Sequence, residues 1–147
     1  MSEPFVEQVT AMARELGFTE VDPGDGSYVK INVQMDDAPA VDVYVRACGE
    51  MHGKEVLEFS SGGLRLPSND AEKMPLLILA LQRNADVIFG HWGLDEADDG
   101  STLRVFHSQI TETMDLPELK GAVLAVADEY SRVAQAFVEL LPAQAAR

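Results

Sequence analysis

The chain has 147 residues, of which 46% are hydrophobic and 24% charged, a composition typical of a folded protein rather than a disordered one. Its 25 acidic and 11 basic residues give a formal charge of -14, so we expect it to bind neither nucleic acid nor anionic membrane surfaces. The longest apolar run, residues 74–81, is too short to cross a bilayer, and the N-terminus lacks a secretory leader pattern. A single cysteine, Cys48, cannot form an internal disulfide, which is typical of a reducing compartment. The sequence therefore predicts one domain over residues 1–147, located in the cytoplasm.

The first half of the chain predicts one helix and three strands. Apolar residues recur at spacings of three and four between Pro4 and Gly17, which favours a short amphipathic helix with proline in its first turn. Three stretches of period-two alternation follow at residues 29–35, 41–46 and 54–60. Short turns separate them. These strands predict an antiparallel meander with one dry and one wet face.

The second half predicts a helix, a hairpin and a long final helix. We place the first of these helices at about residues 75–84, because Pro75 is tolerated in the first helical turn. Residues 76–81 leave this helix almost no polar side, so more than one of its sides should be covered. Asp115 and Glu118 have the spacing of a capping box and open the final helix. Residues 143–147 are expected to form a frayed tail.

The acidic stretch DEADDG, residues 95–100, predicts a hairpin turn rather than a metal loop. A calcium loop that begins at Asp95 would lack oxygen ligands at its third and twelfth positions. Asp99 and Gly100 instead suit the centre of a type I′ turn, where both residues have positive φ. That turn would place Asp95 directly opposite Arg104.

No set of residues in the sequence predicts catalysis or metal binding. The three histidines, His52, His91 and His107, lack the spacing of a zinc site. Cys48 and His52 lie four residues apart around a predicted turn, where a nucleophile and a base could meet, but no further motif accompanies them. We therefore expect no enzyme activity, cofactor or metal. A small-ligand site or an enzyme near Cys48 and His52 is the remote alternative.

Large apolar residues on both faces of the late hairpin indicate a second interface. The hairpin follows a helix that is apolar on all sides. Together they carry more apolar surface than the helices of one small domain readily bury. The simplest partner is a second copy of the chain. The other explanation, that the first and third helices cover both faces, stays open.

The order helix, three strands, helix, two strands and long final helix, in a small acidic chain, resembles the type III secretion chaperone-like family. This group includes the Tir-chaperone class and the YbjN-like proteins. The most telling residues are LLILALQRN at 76–84, FGHWGLD at 89–95 and LRV at 103–105 after the acidic turn. The resemblance implies an α+β fold with an antiparallel five-stranded sheet, in the order α-β-β-β-α-β-β-α. It also implies a bacterial, non-enzymatic homodimer that binds an extended segment of an effector-like or other protein client.

Two groups of residues are the candidate sites. For the dimer interface we expect Leu77, Leu81, Phe89, Phe106 and Ile110. For the client surface we expect Val6, Val9, Val43, Val45 and Val56, with the alternative that these valines belong to the core. The charge favours a basic or neutral client. YbjN-like members share the fold without an assigned secretion client, so a regulatory or stress-associated role is the alternative function.

Overall fold

The structure is a computed structural model that describes residues 3–145, with side chains described through residue 139. The helices are α1 (Pro4–Glu15), α2 (Asp70–Asp86) and α3 (Leu116–Ala145), and a short 3₁₀ turn (Thr111–Thr113) precedes α3. The strands are β1 (Val21–Asp22), β2 (Val29–Met35), β3 (Ala38–Met51), β4 (Lys54–Ser61), β5 (Leu64–Arg65), β6 (His91–Ala97) and β7 (Gly100–Ile110). This order confirms the predicted fold class, since the five predicted strands and three helices all occur in sequence.

The strands of the described residues form one antiparallel sheet of seven strands rather than five. The two strands that the sequence did not predict, β1 and β5, have two residues each and are too short to show a period-two pattern. The sheet runs β1-β2-β3-β4-β7, and β5 pairs with the same side of β7 as β4 does. Strand β6 pairs with the opposite side of β7 and is an edge strand.

The core lies between one face of this sheet and helices α1 and α3. The period-two pattern of the strands sends alternate residues inward, and those inward residues are almost fully buried. They include Ile31, Val43, Val45, Leu57, Phe59 and Val105. Helix α3 supplies the opposing layer through Leu119, Val123, Val126, Val133 and Phe137. The opposite face of the sheet carries polar and half-buried side chains, as expected for an antiparallel sheet with one wet face.

Helix α2 begins five residues earlier than the sequence predicted, so the prediction that Pro75 lies in the first turn was wrong. Asn69 caps the helix, because its side-chain Oδ1 accepts a hydrogen bond of 2.7 Å from the backbone N of Ala71. Pro75 therefore lies inside the helix. Its ring removes the hydrogen bond that the Ala71 carbonyl would accept. Ala71 and Pro75 are both exposed, so water can bind that carbonyl instead.

The register of the β6–β7 hairpin differs by two residues from the prediction. Asp95 pairs with Thr102 rather than Arg104, and Ala97 pairs with Gly100, so the turn is centred on residues 98 and 99. Neither of these two residues has positive φ, whereas Gly100 has a φ of 134°. Gly100 therefore ends the turn rather than forming its centre. A shift of two residues keeps every side chain on its face of the sheet, and Arg104 Nε still binds Asp95 Oδ2 at 3.1 Å.

The predicted capping box at the start of α3 is confirmed. The backbone N of Glu118 donates to Asp115 Oδ1 at 2.8 Å, and the backbone N of Asp115 donates to Glu118 Oε2 at 3.1 Å. Two donors at the helix start are thus satisfied reciprocally. Helix α3 continues to Ala145 across most of the predicted tail, and residues 146 and 147 lie outside the described residues.

Candidate protein-binding surface

Helix α2 has one face against the body of the protein and one apolar face in solvent. Leu76 and Ala80 are buried, with 1% and 4% of their surface exposed. Met74, Ile78 and Leu81 are 51%, 49% and 69% exposed. The two sets alternate because a helix repeats every 3.6 residues.

The exposed apolar face continues past Leu81 at spacings typical of helix pairs. Met74, Ile78, Leu81 and Ala85, which we call the α2 stripe, are separated by four, three and four residues, and Ala85 is exposed like the others. This is the seam spacing by which two helices pack side by side. Ile88, which is 83% exposed, follows three residues beyond Ala85. The α2 stripe is therefore an apolar helix surface with no cover among the described residues.

A buried ion pair fastens the end of α2 to α3 and β6. Arg83 donates to Glu129 through Nε at 3.0 Å and through Nη2 at 2.7 Å. The indole N–H of Trp92 donates to the same carboxylate at 2.8 Å. The Glu129 side chain is 5% exposed and that of Arg83 is 23% exposed. The hydrogen bond from Arg83 to Glu129 raises the pKa of the guanidinium above its already high value. Glu129 thus holds three elements together through a charged, largely dry contact.

Asn84, the next residue of α2, occupies the edge of strand β6. Its Oδ1 accepts from the backbone N of Trp92 at 2.7 Å, and its Nδ2 donates to the Trp92 carbonyl at 3.1 Å. The carboxamide stands where the peptide group of another strand would lie. Alternate residues of a strand point their backbone groups the same way, so the groups of Leu94 and Glu96 also face away from β7. Within the described chain β6 pairs only with β7, so these groups form an open edge.

The predicted dimer residues do not lie together. Leu81 and Phe89 are exposed near the end of α2, and Leu77 is half-buried against the core. Phe106 and Ile110 alternate with the buried residues of β7 and therefore lie on the opposite face of the sheet. The prediction needs this correction because the sequence does not show which face of the hairpin the helices cover.

Phe89 has a further contact that the sequence did not indicate. Its ring meets the ring of His107 edge-on, with the centroids 5.2 Å apart. Burial, and to a smaller extent the charge of His91, lowers the pKa of His107. A half-exposed phenylalanine thus covers a histidine that is half-buried in the sheet.

The predicted client surface also needs a correction. Val6, Val9, Val43 and Val45 are between 0% and 2% exposed and belong to the core between the sheet and the helices. A client cannot reach side chains at those positions. Val56 is half-buried at the start of β4. The alternative given from the sequence, that these valines belong to the core, is therefore correct for Val6, Val9, Val43 and Val45.

Cys48 and His52 lie in the β3–β4 hairpin without contacting each other through a hydrogen bond. Cys48 is the extra residue of a bulge between Ala47 and Gly49, and its thiol contacts the Val56 carbonyl at 3.5 Å. Burial, followed by the charge of Glu58, raises the pKa of the Cys48 thiol. A raised pKa disfavours the thiolate that a nucleophile requires. Within residues 3–145, no three His, Cys, Asp or Glu side chains are placed to hold a metal ion.

Comparison with known proteins identifies the fold. No protein-family model matches the sequence, and no curated protein matches it. Among solved structures, YbjN from E. coli, described as a candidate transcription regulator, superposes with a TM-score of 0.62 at 17% identity, over 97% of this chain and 93% of YbjN.

Two structures of secretion-chaperone complexes are also similar. A chain of the HopA1–SchA chaperone–effector complex matches with a TM-score of 0.53 at 21% identity, over 87% of this chain and 90% of that one. The Yersinia pestis type III secretion chaperone SycH, solved with a fragment of YscM2, matches at 0.53 and 15% identity, over 87% and 98%. In the described chain, no helix is both long and apolar enough to pass through a bilayer. The chain has the type III secretion chaperone-like fold, which YbjN shares.

Proposed function

We propose that this protein is a non-enzymatic, chaperone-like module that works as a homodimer and holds an extended segment of a client protein. The observation that carries the proposal is the α2 stripe, an apolar helix face that the protein itself leaves in solvent. The fold shared with two chaperone complexes supports a protein-binding role. The Cys48 thiol contacts the Val56 carbonyl rather than His52, which does not support the remote alternative of an enzyme at the β3–β4 hairpin.

The dimer is proposed to form through the α2 stripe and the residues that follow it. Two copies of a helix with seam spacing can interlock along their apolar faces. Full burial of an exposed leucine contributes roughly 1.5–3 kcal/mol, so covering Leu81, which is 69% exposed, contributes part of that range against the entropic cost of association. Phe89 lies next in the chain after Ile88 and would extend the contact. Of the residues predicted from the sequence, Leu81 and Phe89 remain candidates for this interface.

The client is proposed to bind along the open edge of β6. An extended segment can add to a sheet edge through backbone hydrogen bonds, and the groups of Leu94 and Glu96 are free to make them. Leu94 is 46% exposed and offers an apolar contact beside this edge.

Light scattering tests the dimer. The wild type should have about twice the chain mass of 16.0 kDa, and Leu81→Asp should shift it toward one chain because a charge in an apolar interface is costly. Met51→Asp is the matched control, since Met51 is 56% exposed at the tip of the β3–β4 hairpin, away from α2. A wild-type monomer at micromolar concentration would refute the dimer.

Co-purification of tagged protein from its native cells tests client binding. Leu94→Pro removes the backbone N–H that faces the open edge without removing a hydrogen bond to β7, whereas Leu94→Ser keeps that N–H. We expect one dominant partner with the wild type, a lower recovery with Leu94→Ser, which loses only the apolar contact, and loss of the partner with Leu94→Pro. Equal recovery by both variants would show that the edge does not hold the client.

A regulatory module without a secretion client is the second candidate function. The likeness to YbjN, which has the higher TM-score and the wider coverage of this chain among the three structures, favours it. The absence of a dominant partner in the co-purification, together with unrelated phenotypes on deletion, would support this function over a chaperone role.

A further inference from the structure

A groove of about 560 Å³ lies between the start of β3 and the second half of α3. Helix α3 contributes one face of residues 130–139, and the β2–β3 turn contributes Asp37. The volume falls within the range of roughly 300–1,000 Å³ that is typical of sites which bury a small ligand or an anchoring side chain. None of the residues that line the groove belongs to the α2 stripe or to strand β6.

Small side chains leave this space open. Ala40 of β3 and two residues of α3, Ser131 and Ala134, line it. None of the three is large enough to fill the gap between the strand and the helix. Val138, four residues after Ala134, also lines the groove and is 65% exposed. The groove therefore has an apolar lining that no described side chain covers.

The two charged residues that line the groove are both acidic. Asp37 and Glu139 line it, and no lysine or arginine is among its described lining residues. The whole chain adds a formal charge of -14 to this local field. An apolar groove with carboxylates at its sides complements a large apolar side chain that has cationic neighbours, and it repels an acidic segment. A second copy of this chain, with the same negative charge, fits the groove poorly.

We propose that this groove anchors a segment of the client that carries a large apolar side chain flanked by lysine or arginine. The inference rests on the proposed client-binding function and deepens it by stating the client's chemistry and the position of its anchor. It does not depend on dimer formation through α2.

Fluorescence anisotropy with three labelled peptides tests the anchor chemistry on the full chain. The first peptide has leucine and phenylalanine between two pairs of lysines, the second has glutamates in place of the lysines, and the third has serines in place of the two apolar residues. We expect saturable binding of the first peptide only, weakening as salt is raised because the flanking charges are exposed. Equal binding of the serine peptide would overturn the proposal, since it would show attraction by charge alone.

Variants of the groove locate the binding. Val138→Lys should weaken binding of the first peptide by at least about tenfold, because it places a like charge beside the peptide's lysines. Ala11→Lys, an exposed position on α1, makes the same change in net charge and should leave binding nearly unchanged. Asp37→Asn should weaken binding and its salt dependence, and asparagine tolerates the φ of 56° at this position. An equal loss with Ala11→Lys and Val138→Lys would overturn the proposal.

Oligomeric state separates this inference from the proposed dimer. Leu81→Asp, which is expected to give a monomer, should retain peptide binding, and that result would support the groove whether or not the dimer exists. A wild-type monomer that binds the peptide would refute the dimer alone. Conversion of the dimer to a monomer by Val138→Lys would show that the groove is an interface between copies, and it would overturn the anchor.

Discussion

Substitution of Arg83 by methionine should destabilise the protein far more than loss of an ordinary ion pair. The Glu129 side chain is 5% exposed beside Arg83, and the variant would leave its carboxylate with only the indole N–H of Trp92 as a hydrogen-bond donor. Breaking one partner of a buried pair costs about 3–5 kcal/mol. Because the Arg83 side chain is 23% exposed, water can replace it in the variant. We therefore expect a loss of unfolding free energy at the lower end of this range, about 3 kcal/mol.

Urea unfolding at fixed protein concentration measures this loss. With a slope of about 2 kcal/mol per molar, a loss of about 3 kcal/mol lowers the midpoint by about 1.5 M. Arg104→Met is the control, since Arg104 and Asp95 form an ion pair whose side chains are 34% and 55% exposed. Pairs of that kind contribute about 0–1 kcal/mol, so the midpoint should fall by no more than about 0.5 M.

A second substitution decides whether buried charge is the cause. In the Arg83→Met background, Glu129→Gln removes the unpaired charge but keeps an acceptor for the Trp92 indole. The double variant should therefore be more stable than Arg83→Met alone, although Glu129→Gln by itself should destabilise the wild type. A double variant less stable than Arg83→Met, or equal losses for Arg83→Met and Arg104→Met, would contradict this reasoning.

Three further changes test the fold. Burial and His91 lower the pKa of His107, so the unfolded chain takes up a proton first as pH falls, and stability should decrease between about pH 7.5 and pH 5. His107→Gln should reduce this loss of stability, measured as the difference in unfolding free energy between urea titrations at the two pH values. An unchanged difference would contradict the role of His107. Asp115→Ala should cost about 1 kcal/mol in the same assay through loss of the helix cap, and no change would show that the capping box does not contribute. Gly90→Ala should cost about 1–2 kcal/mol because Gly90 has a φ of 79°, whereas Gly62→Ala, where an added Cβ meets nothing within 4 Å, should be near neutral; equal costs would be inconsistent with the geometry.

Local patterns predicted the order of the elements, because each pattern acts over a few residues. Alternation marked β2, β3 and β4, the apolar spacing marked α1 and α3, and the acids at 115 and 118 marked the start of α3. The sequence does not predict the true start of α2, because proline is most often found in the first turn of a helix. In the structure Asn69 forms the cap and Pro75 is accommodated on the exposed side.

Features that depend on contacts between distant parts of the chain could not be predicted from the sequence patterns. Whether Val43 and Val45 face a client or the core depends on where α3 lies, and the structure places it over them. The hairpin register depends on the whole ladder between β6 and β7, in which a turn at residues 98 and 99 replaced the predicted Asp-Gly turn. The apolar character of residues 76–81 predicts surplus apolar surface on this helix, but it does not show which side chains stay exposed, and these include Met74, Ile78 and Leu81. The acidic groove was not predicted, since its two sides are almost a hundred residues apart in the chain.

The carboxamide of Asn84 limits how far β6 can recruit other chains. A seven-residue edge strand could template the stacking of further copies into fibrils, a hazard of any uncovered sheet margin. By taking the Trp92 position, Asn84 leaves an incoming strand only the far end of β6, where Asp95 and Glu96 add negative charge. These carboxylates repel an acidic copy of the same chain, so the Asn84 carboxamide and the charge beside it together oppose self-assembly along β6.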